Sequence, residues 1–423
     1  MQHKSVFSSS PSASSKSPPE CGFQPVPAAP LGIYAKTASA FAPSPPIFEH
    51  VDRLTGEVKK FTIDQKMTPH EVQTHHMKRA HRFALKAAVN DLLPRSRTSK
   101  CHRWLIPNKP LEIRKSDETG KAFFSGVQIC ASVWRCPVCA AKITERRRVE
   151  VRAALDSAHV KGLKTYLLTL TVPHGLGDDI NSMLDKMMQS WRSMTSHRAG
   201  IKALEFIGRR GFIRALEVTH GKNGFHPHFH ILLFLDTLKT PSEVQQTLSP
   251  VWQKSCLSVG LPMPSDSHGC RVDDGEKASQ YVAKGVWGLD AELTKGHVKK
   301  SKSPDSRTPV DLLQAWAFGE DHQARKLWLV YAEAFHGRRQ LYWSNGLRDL
   351  LELRKELTDE QIAAHADEPV SVLHTLTLDQ WRAIIGTYSE TLILDVSEFN
   401  PSALPEILAS VEAKYARLKA SPS

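Results

Sequence analysis

Apolar and polar residues alternate along this chain with periods that change from segment to segment. Residues 165–172 (TYLLTLTV) are β-branched and apolar almost throughout, which predicts a central strand. From Asp179 to Thr195 the apolar positions Met183, Leu184, Met187, Met188 and Trp191 recur at the spacing of one helix face. Residues 212–219 and 225–234 read as two further strands joined through Lys222-Asn223-Gly224, and Asn-Gly is a strong hairpin signal. Thr68-Pro69-His70-Glu71 has the form of a helix start, with Thr as N-cap and Glu three places on, ahead of a helix over 75–93. A long helix is expected from Ala140 to Ala158, a short one from Ala278 to Gly285, and two or three more beyond Glu356. Residues 1–47, rich in Ser, Pro and Ala, predict a disordered tail, because they cannot bury enough apolar surface to offset ordering. Residues 295–307 read as a mobile basic loop, and the fold class expected is α+β.

Charge divides the chain further. The 423 residues carry Lys+Arg 56 against Asp+Glu 44, a net of +12. From Glu356 onward there are 11 acids and 4 bases, a net of −7, which leaves +19 on residues 1–355. A basic field of that size favours a polyanion, nucleic acid before membrane, because displaced counterions drive binding. No apolar run reaches the roughly 18–20 residues of a membrane-spanning helix, and the N-terminus lacks an apolar signal core. A cytoplasmic protein without a membrane partner is expected. Seven cysteines, an odd number, argue for thiols or metal ligands over a disulfide framework.

The sharpest chemical feature is His226-Pro227-His228-Phe229-His230. Alternation along a strand sets the three histidines on one face and Phe229 on the other. With Asn223-Gly224 as a two-residue turn, Lys222 faces Phe225 and Glu217 falls opposite His230. Two imidazoles and a carboxylate suit Mn²⁺ or Mg²⁺, and Zn²⁺ less specifically. If a metal meets phosphate here, a nucleophile is wanted, and Tyr281 stands out with Lys284 one helical turn on. A phenol titrating near 10 is a poor nucleophile until a neighbouring ammonium and a metal-polarised phosphate assist it. Cys136-Pro137-Val138-Cys139 has zinc-knuckle spacing, with Cys130 upstream and Cys101 as a candidate fourth ligand for zinc. The helix that follows, with Lys142 to Arg152 (KITERRRVEVR), is a candidate DNA contact or a solvated face.

Thr169-Leu170-Thr171, His228-Phe229-His230 and Tyr281-Val282-Ala283-Lys284, in that order, resemble the three motifs of the HUH endonucleases. The chain is most similar among these to the rolling-circle replication initiator (Rep) proteins of small bacterial plasmids. The resemblance runs from about Cys101 to Leu353 and takes in Ala215-Leu216-Glu217-Val218-Thr219-His220, Trp134-Arg135-Cys136-Pro137-Val138-Cys139 and Gly337-Arg338-Arg339-Gln340-Leu341-Tyr342-Trp343-Ser344. It implies a palm-like antiparallel sheet flanked by helices, a divalent metal on His228 and His230, and Tyr281 as nucleophile. It also implies plasmid origin DNA, single-stranded or hairpin, as substrate, with a host helicase and polymerase as partners. Such single-tyrosine enzymes use an acid to direct water at termination, usually one turn before the tyrosine. That position holds Lys277 here, so Glu276 is assigned instead, with Asp273 and Asp274 as rivals. The domain plan is a tail over 1–47, a basic region with the cysteine-rich zinc-like element over 48–160, the nicking domain over 161–355 and an acidic helical tail over 356–423. A conjugative relaxase, a single-tyrosine transposase and a catalytically inactive zinc-dependent DNA-binding protein are the competing readings.

Overall fold

The computed structural model describes residues 47–51, 58–62, 69–275, 306–366 and 368–420. The Ser/Pro-rich tail up to residue 46, the short helix expected over 278–285 and the basic loop up to residue 305 lie outside the described residues.

In chain order the elements begin with the antiparallel pair β1 (Ile47–Val51) and β2 (Val58–Thr62). Next come α1 (Pro69–Leu92), α2 (Arg97–Lys100), β3 (Glu112–Ser116), β4 (Ala122–Ser125) and α3 (Pro137–Val160). Then follow β5 (Lys164–Leu170), α4 (Ile180–Ser196), α5 (Arg198–Phe206), β6 (Arg209–Gly221), β7 (Gly224–Leu235), α6 (Pro241–Ser258) and β8 (Cys270–Asp274). Beyond the undescribed stretch lie α7 (Pro309–Gly319), α8 (His322–Ala334), β9 (Leu341–Trp343), α9 (Leu347–Leu350) and α10 (Asp359–Ala363). The chain closes with β10 (Val370–Thr375), α11 (Leu378–Gly386), α12 (Glu390–Phe399) and α13 (Leu404–Ala420). Helix starts follow local chemistry. Asp179 caps α4 by accepting from the Ser182 N–H, and Thr240 with Glu243 forms a capping box on α6.

β5 to β9 form one antiparallel sheet in the order β8-β5-β7-β6-β9. The run expected to be central, β5, lies one place from the middle, which β7 occupies. One sheet face carries Leu168, Leu170, Phe212, Leu216, Phe229, Ile231 and Leu233. That face buries the apolar stripes of α4 (Met183, Leu184, Met187, Trp191), α6 (Val244, Leu248, Trp252) and α8 (Trp328, Tyr331). The other face sets Leu167, Ile213, Ala215, Leu232 and Phe234 against Val151, Ala154, Leu155 and Ala158 of α3. Sandwiched between two helical layers, the sheet has fixed faces: a one-residue slip would expose its whole apolar set. The fold is mixed α+β, and among the described residues no helix is long and apolar enough to cross a membrane.

The β6–β7 hairpin differs from its expected register by two residues. Gly221 pairs with Gly224 and Glu217 faces His228, so Lys222-Asn223 makes the turn and Glu217 is diagonal to His230. The reason is turn type. A type I′ turn needs positive φ at two successive residues, yet of the three loop residues only Gly224 has it, at +89°. The turn is therefore not type I′, and it closes on a glycine of positive φ. Gly224 is also where the Gly175 carbonyl comes close: a Cβ there would stand 3.1 Å from that oxygen. Because the shift is even, every side chain keeps its face.

The acidic C-terminal segment contains a strand that its pattern does not announce. β10 pairs with β3 in a sheet of order β10-β3-β4, and α11 to α13 pack over it through Trp381, Ile384, Ile393, Val396 and Leu408. Helix α12 is buried along its length and brings Asp395 and Glu398 to Arg79 on α1. Asp395 also takes His76, and Glu398 accepts from the Ala122 N–H at 2.6 Å. Asp395 is 0% exposed, so removing it strands a buried guanidinium. Asp395→Ala is expected to destabilise the protein by about 3–5 kcal/mol in urea denaturation. A loss under about 1 kcal/mol, the scale of a surface pair, would contradict this role.

Candidate active site

Three side chains from the β6–β7 ladder meet, half-buried, on the sheet face that α3 packs against. Glu217 Oε2 lies 3.6 Å from His228 Nε2 and 3.7 Å from His230 Nε2. One candidate ligand atom from each residue falls within 4.8 Å of the others. The orientation is set from behind. The His226 carbonyl can only accept, so His228 carries its proton on Nδ1, donates it at 3.1 Å, and turns the lone pair of Nε2 toward Glu217. His230 Nδ1 meets Thr169 Oγ1 of β5 at 3.0 Å, which holds its Nε2 the same way. Glu217 Oε1 is buried without a hydrogen-bond partner among the described residues.

Electron pairs converging in this way require a cation or protons between them. Ligand atoms sharing one ion at about 2.0–2.2 Å stand roughly 3–4 Å apart, so the observed separations fit a single divalent metal. Burial pulls the His228 imidazole down, but the hydrogen bond and charge of Glu217 outweigh it and the pKa is raised. For His230 burial wins over Glu217 and the pKa is lowered. A metal at this place competes with the His228 proton, so its affinity falls as pH drops through that raised value. The third histidine of the strand, His226, stands apart from the cluster: its Nδ1 meets His174 Nδ1 at 3.2 Å, and burial with the neighbouring imidazoles lowers its pKa to about 4.

Of the expected acids, Asp273 and Asp274 separate by strand parity. Asp273 pairs with Leu167 and so shares the face of Thr169 and His230, whereas Asp274 pairs with Tyr166 and takes the other face. Asp273 also bears electrostatically on His230. Tyr281, Lys284 and Glu276 lie outside the described residues. Thr169 was legible only as part of a motif, and its hold on His230 follows from the β5–β7 register, which pairs the two.

A second cluster gathers Cys101, Cys130, Cys136 and Cys139, all buried. Cys136 is the N-cap of α3 and makes no side-chain cap hydrogen bond; Cys139 is three residues on, in the first turn. The CxxC spacing thus turns both sulfurs to one side of a helix N-terminus, where the dipole favours thiolate. Sulfur separations are 3.5 Å (Cys101–Cys139), 3.8 Å (Cys130–Cys139) and 3.9 Å (Cys101–Cys136), too long for disulfides. Four sulfurs around one zinc at about 2.3 Å would stand roughly 3.8 Å apart. The Cys130 N–H donates to Cys101 Sγ at 3.3 Å. Hydrogen bonds from the other three sulfurs hold the Cys130 thiol far below its ordinary range, while burial holds Cys136 well above it. Cys256 and Cys270 belong to the main core, where burial pushes both up to about 12.

The arginines of α3 are largely engaged within the protein. Arg147 is buried, reaching Glu150, Glu356, Asp359 and the Leu357 carbonyl, and Arg148 pairs with Glu145. Arg152 pairs with Asp156. A helix that reads as a basic face for DNA is therefore, at Arg147, a clamp on the C-terminal segment.

Comparison with known proteins adds an independent line. Residues 121–388 match Rep_1, a family described as replication protein. A Protein rep of Streptomyces lividans is 26% identical over 339 residues, 63% of this chain and 74% of that protein. A Protein rep of Bacillus sp is 29% identical over 126 residues, 29% of this chain and 39% of that protein. A Protein rep of Streptococcus pneumoniae is 30% identical over 177 residues, 40% of this chain and 50% of that protein. The matches thus span half or less of the last two relatives. No solved structure matches the chain significantly.

Proposed function

The chain belongs to the Rep_1 replication protein family, and from that premise we propose that it initiates rolling-circle replication of a plasmid by nicking and rejoining one strand at the origin. The observation that carries the reading is the convergence of Glu217, His228 and His230 on one sheet face, their nitrogen lone pairs and carboxylate aimed at a common point. The five-stranded antiparallel sheet is then the palm-like sheet of an HUH enzyme, with β7 as its histidine strand.

In this reading His228 and His230, through Nε2, and Glu217 hold Mg²⁺ or Mn²⁺. The bound ion supplies charge neutralisation and orientation of the scissile phosphate. Tyr281 gives up its phenolic proton and its oxygen attacks phosphorus. The P–O3′ bond breaks, and the departing oxygen takes its electron pair and then a proton. A 5′-phosphotyrosine and a free 3′-OH remain, the latter able to prime synthesis, and the covalent link retains the bond energy for rejoining. Lys284, three positions after Tyr281 in the sequence, favours the phenolate. Glu276 directs water at termination; the face shared by Asp273 and His230 supports Asp273 as its alternate. The partners are origin DNA, single-stranded or extruded as a hairpin, and a host helicase and polymerase. The cysteine cluster holds a structural zinc that fixes α2, the loop at Cys130 and the start of α3 to one another.

Two experiments test this. On supercoiled plasmid carrying the gene's own flanking DNA, with Mn²⁺, the wild type should give relaxation and a protein–DNA adduct that survives denaturant. Tyr281→Phe and His228→Ala/His230→Ala should give none. DNA binding without any adduct would favour the inactive DNA-binding protein, and an adduct persisting in Tyr281→Phe would discard that tyrosine. Elemental analysis should find about one zinc per chain, lost in Cys136→Ser/Cys139→Ser. A zinc-free native protein would remove the zinc site.

A further inference from the structure

On the sheet face opposite the histidine cluster, β6 buries a guanidinium that the nicking reading does not use. Arg214 is 5% exposed. Its guanidinium carbon lies 5.0 Å from the ring centre of Phe229, 5.4 Å from that of Tyr342 and 5.9 Å from that of Trp191. Phe212 closes the cage, edge-on to Trp191 at 5.1 Å and 6.0 Å from Tyr342. Among the described residues Arg214 makes no ion pair, and its Nε is buried without a hydrogen-bond partner.

The neighbourhood deepens the imbalance. Burial, relieved by the Tyr342 phenol and reinforced by Arg339 and Arg192, lowers the Arg214 pKa to about 10. Arg339 stacks on the same Tyr342 ring at 5.3 Å, though its charge is met by Glu356 at 2.6 Å. Arg209 stacks on Phe212 at 5.9 Å, and neither Arg209 nor the exposed Arg192 has a carboxylate partner among the described residues. Stacking on aromatic faces favours a guanidinium. Taking a charge out of water is costly, and ring contacts leave that charge without a counter-ion. The terminal N–H donors of Arg214 likewise have no hydrogen-bond partner among the described residues, and such a fork matches the geometry of an oxyanion.

We propose that Arg214, with Arg192 and Arg209 at the rim of its aromatic cage, is a phosphate-binding site distinct from the histidine cluster and on the reverse of the same sheet. The ligand is a phosphate oxyanion, taken either from a single-stranded DNA backbone or from a free phosphate compound. Recognition is bidentate through the Arg214 fork, and the rim arginines add charge. Binding here does not depend on nicking, so the two readings fail separately.

The test uses the full-length protein, a short labelled oligothymidylate followed by fluorescence anisotropy across a salt series, and inorganic pyrophosphate followed by thermal shift. Arg214→Met should weaken the oligonucleotide about tenfold, as loss of a charged hydrogen bond does, and lower the salt slope by about one. It should also leave the melting temperature unchanged or raised, because an unpaired buried charge is removed. Arg214→Lys should recover only part of the affinity, lacking the planar fork. Loss of oligonucleotide affinity alone identifies a backbone phosphate; a pyrophosphate-induced thermal shift seen in wild type and abolished in Arg214→Met identifies a free phosphate. A folded variant that binds both probes as wild type does, or that merely melts early, overturns the proposal. Should Arg214→Met not fold, Arg214→Lys together with Arg192→Gln reads the same quantities: reduced affinity and slope support the site, and unchanged values overturn it.

Discussion

The ladder between β6 and β7 sets Glu217 opposite His228 and diagonal to His230, and side-chain alternation sends all three to one face. That pairing is held by apolar neighbours of opposite parity. Phe229, Ile231 and Leu216 are fixed in the core beneath α4 and α6, so the intervening residues have no choice of face. The same alternation places Arg214 on the core side, between Ile213 and Ala215 of the α3 side. One sheet therefore carries two concentrations of charge chemistry back to back. On one face two imidazoles and a carboxylate converge, and on the other three aromatic rings surround a buried guanidinium.

Long-range polar contacts hold the rest in place. Arg79 of α1 reaches Asp395, and Arg147 of α3 reaches Asp359, so both long helices are tied to the C-terminal segment. The cysteine cluster is tied to the same segment, since its hydrophobic surround includes Ile362 and Ala363 of α10. Acidic residues of the segment that reads as an acidic helical tail are in part counter-charges to buried arginines. The excess positive charge of residues 1–355 is thereby partly answered from within the chain.

Much of the site was legible because strand parity is a local property. His228, His230 and Glu217 share a face under any register that differs by an even number, so the two-residue difference at the turn left the cluster intact. The register itself was not legible, since it depended on only Gly224 of the loop having positive φ. Cys136 and Cys139 were legible from spacing, with Cys130 and Cys101 as their candidate companions, and the fold at the end of α2 and around Ala131 brings all four together. Asp273 could not be told from Asp274 without the β5–β8 pairing. Arg79 and Asp395 are 316 positions apart, and no local pattern links them. Arg214 lies between Ile213 and Ala215 of β6, and the rings around it come from α4, β7 and β9, three separate parts of the chain.

The central claim is that the sheet itself forms a divalent-metal site. Its most direct test is Mn²⁺ titration followed by electron paramagnetic resonance, with the cysteine cluster left intact. Wild type should take up one Mn²⁺ with loss of the free-ion signal, and His228→Ala/His230→Ala should leave that signal unchanged. Equal uptake by wild type and the double variant would contradict the account.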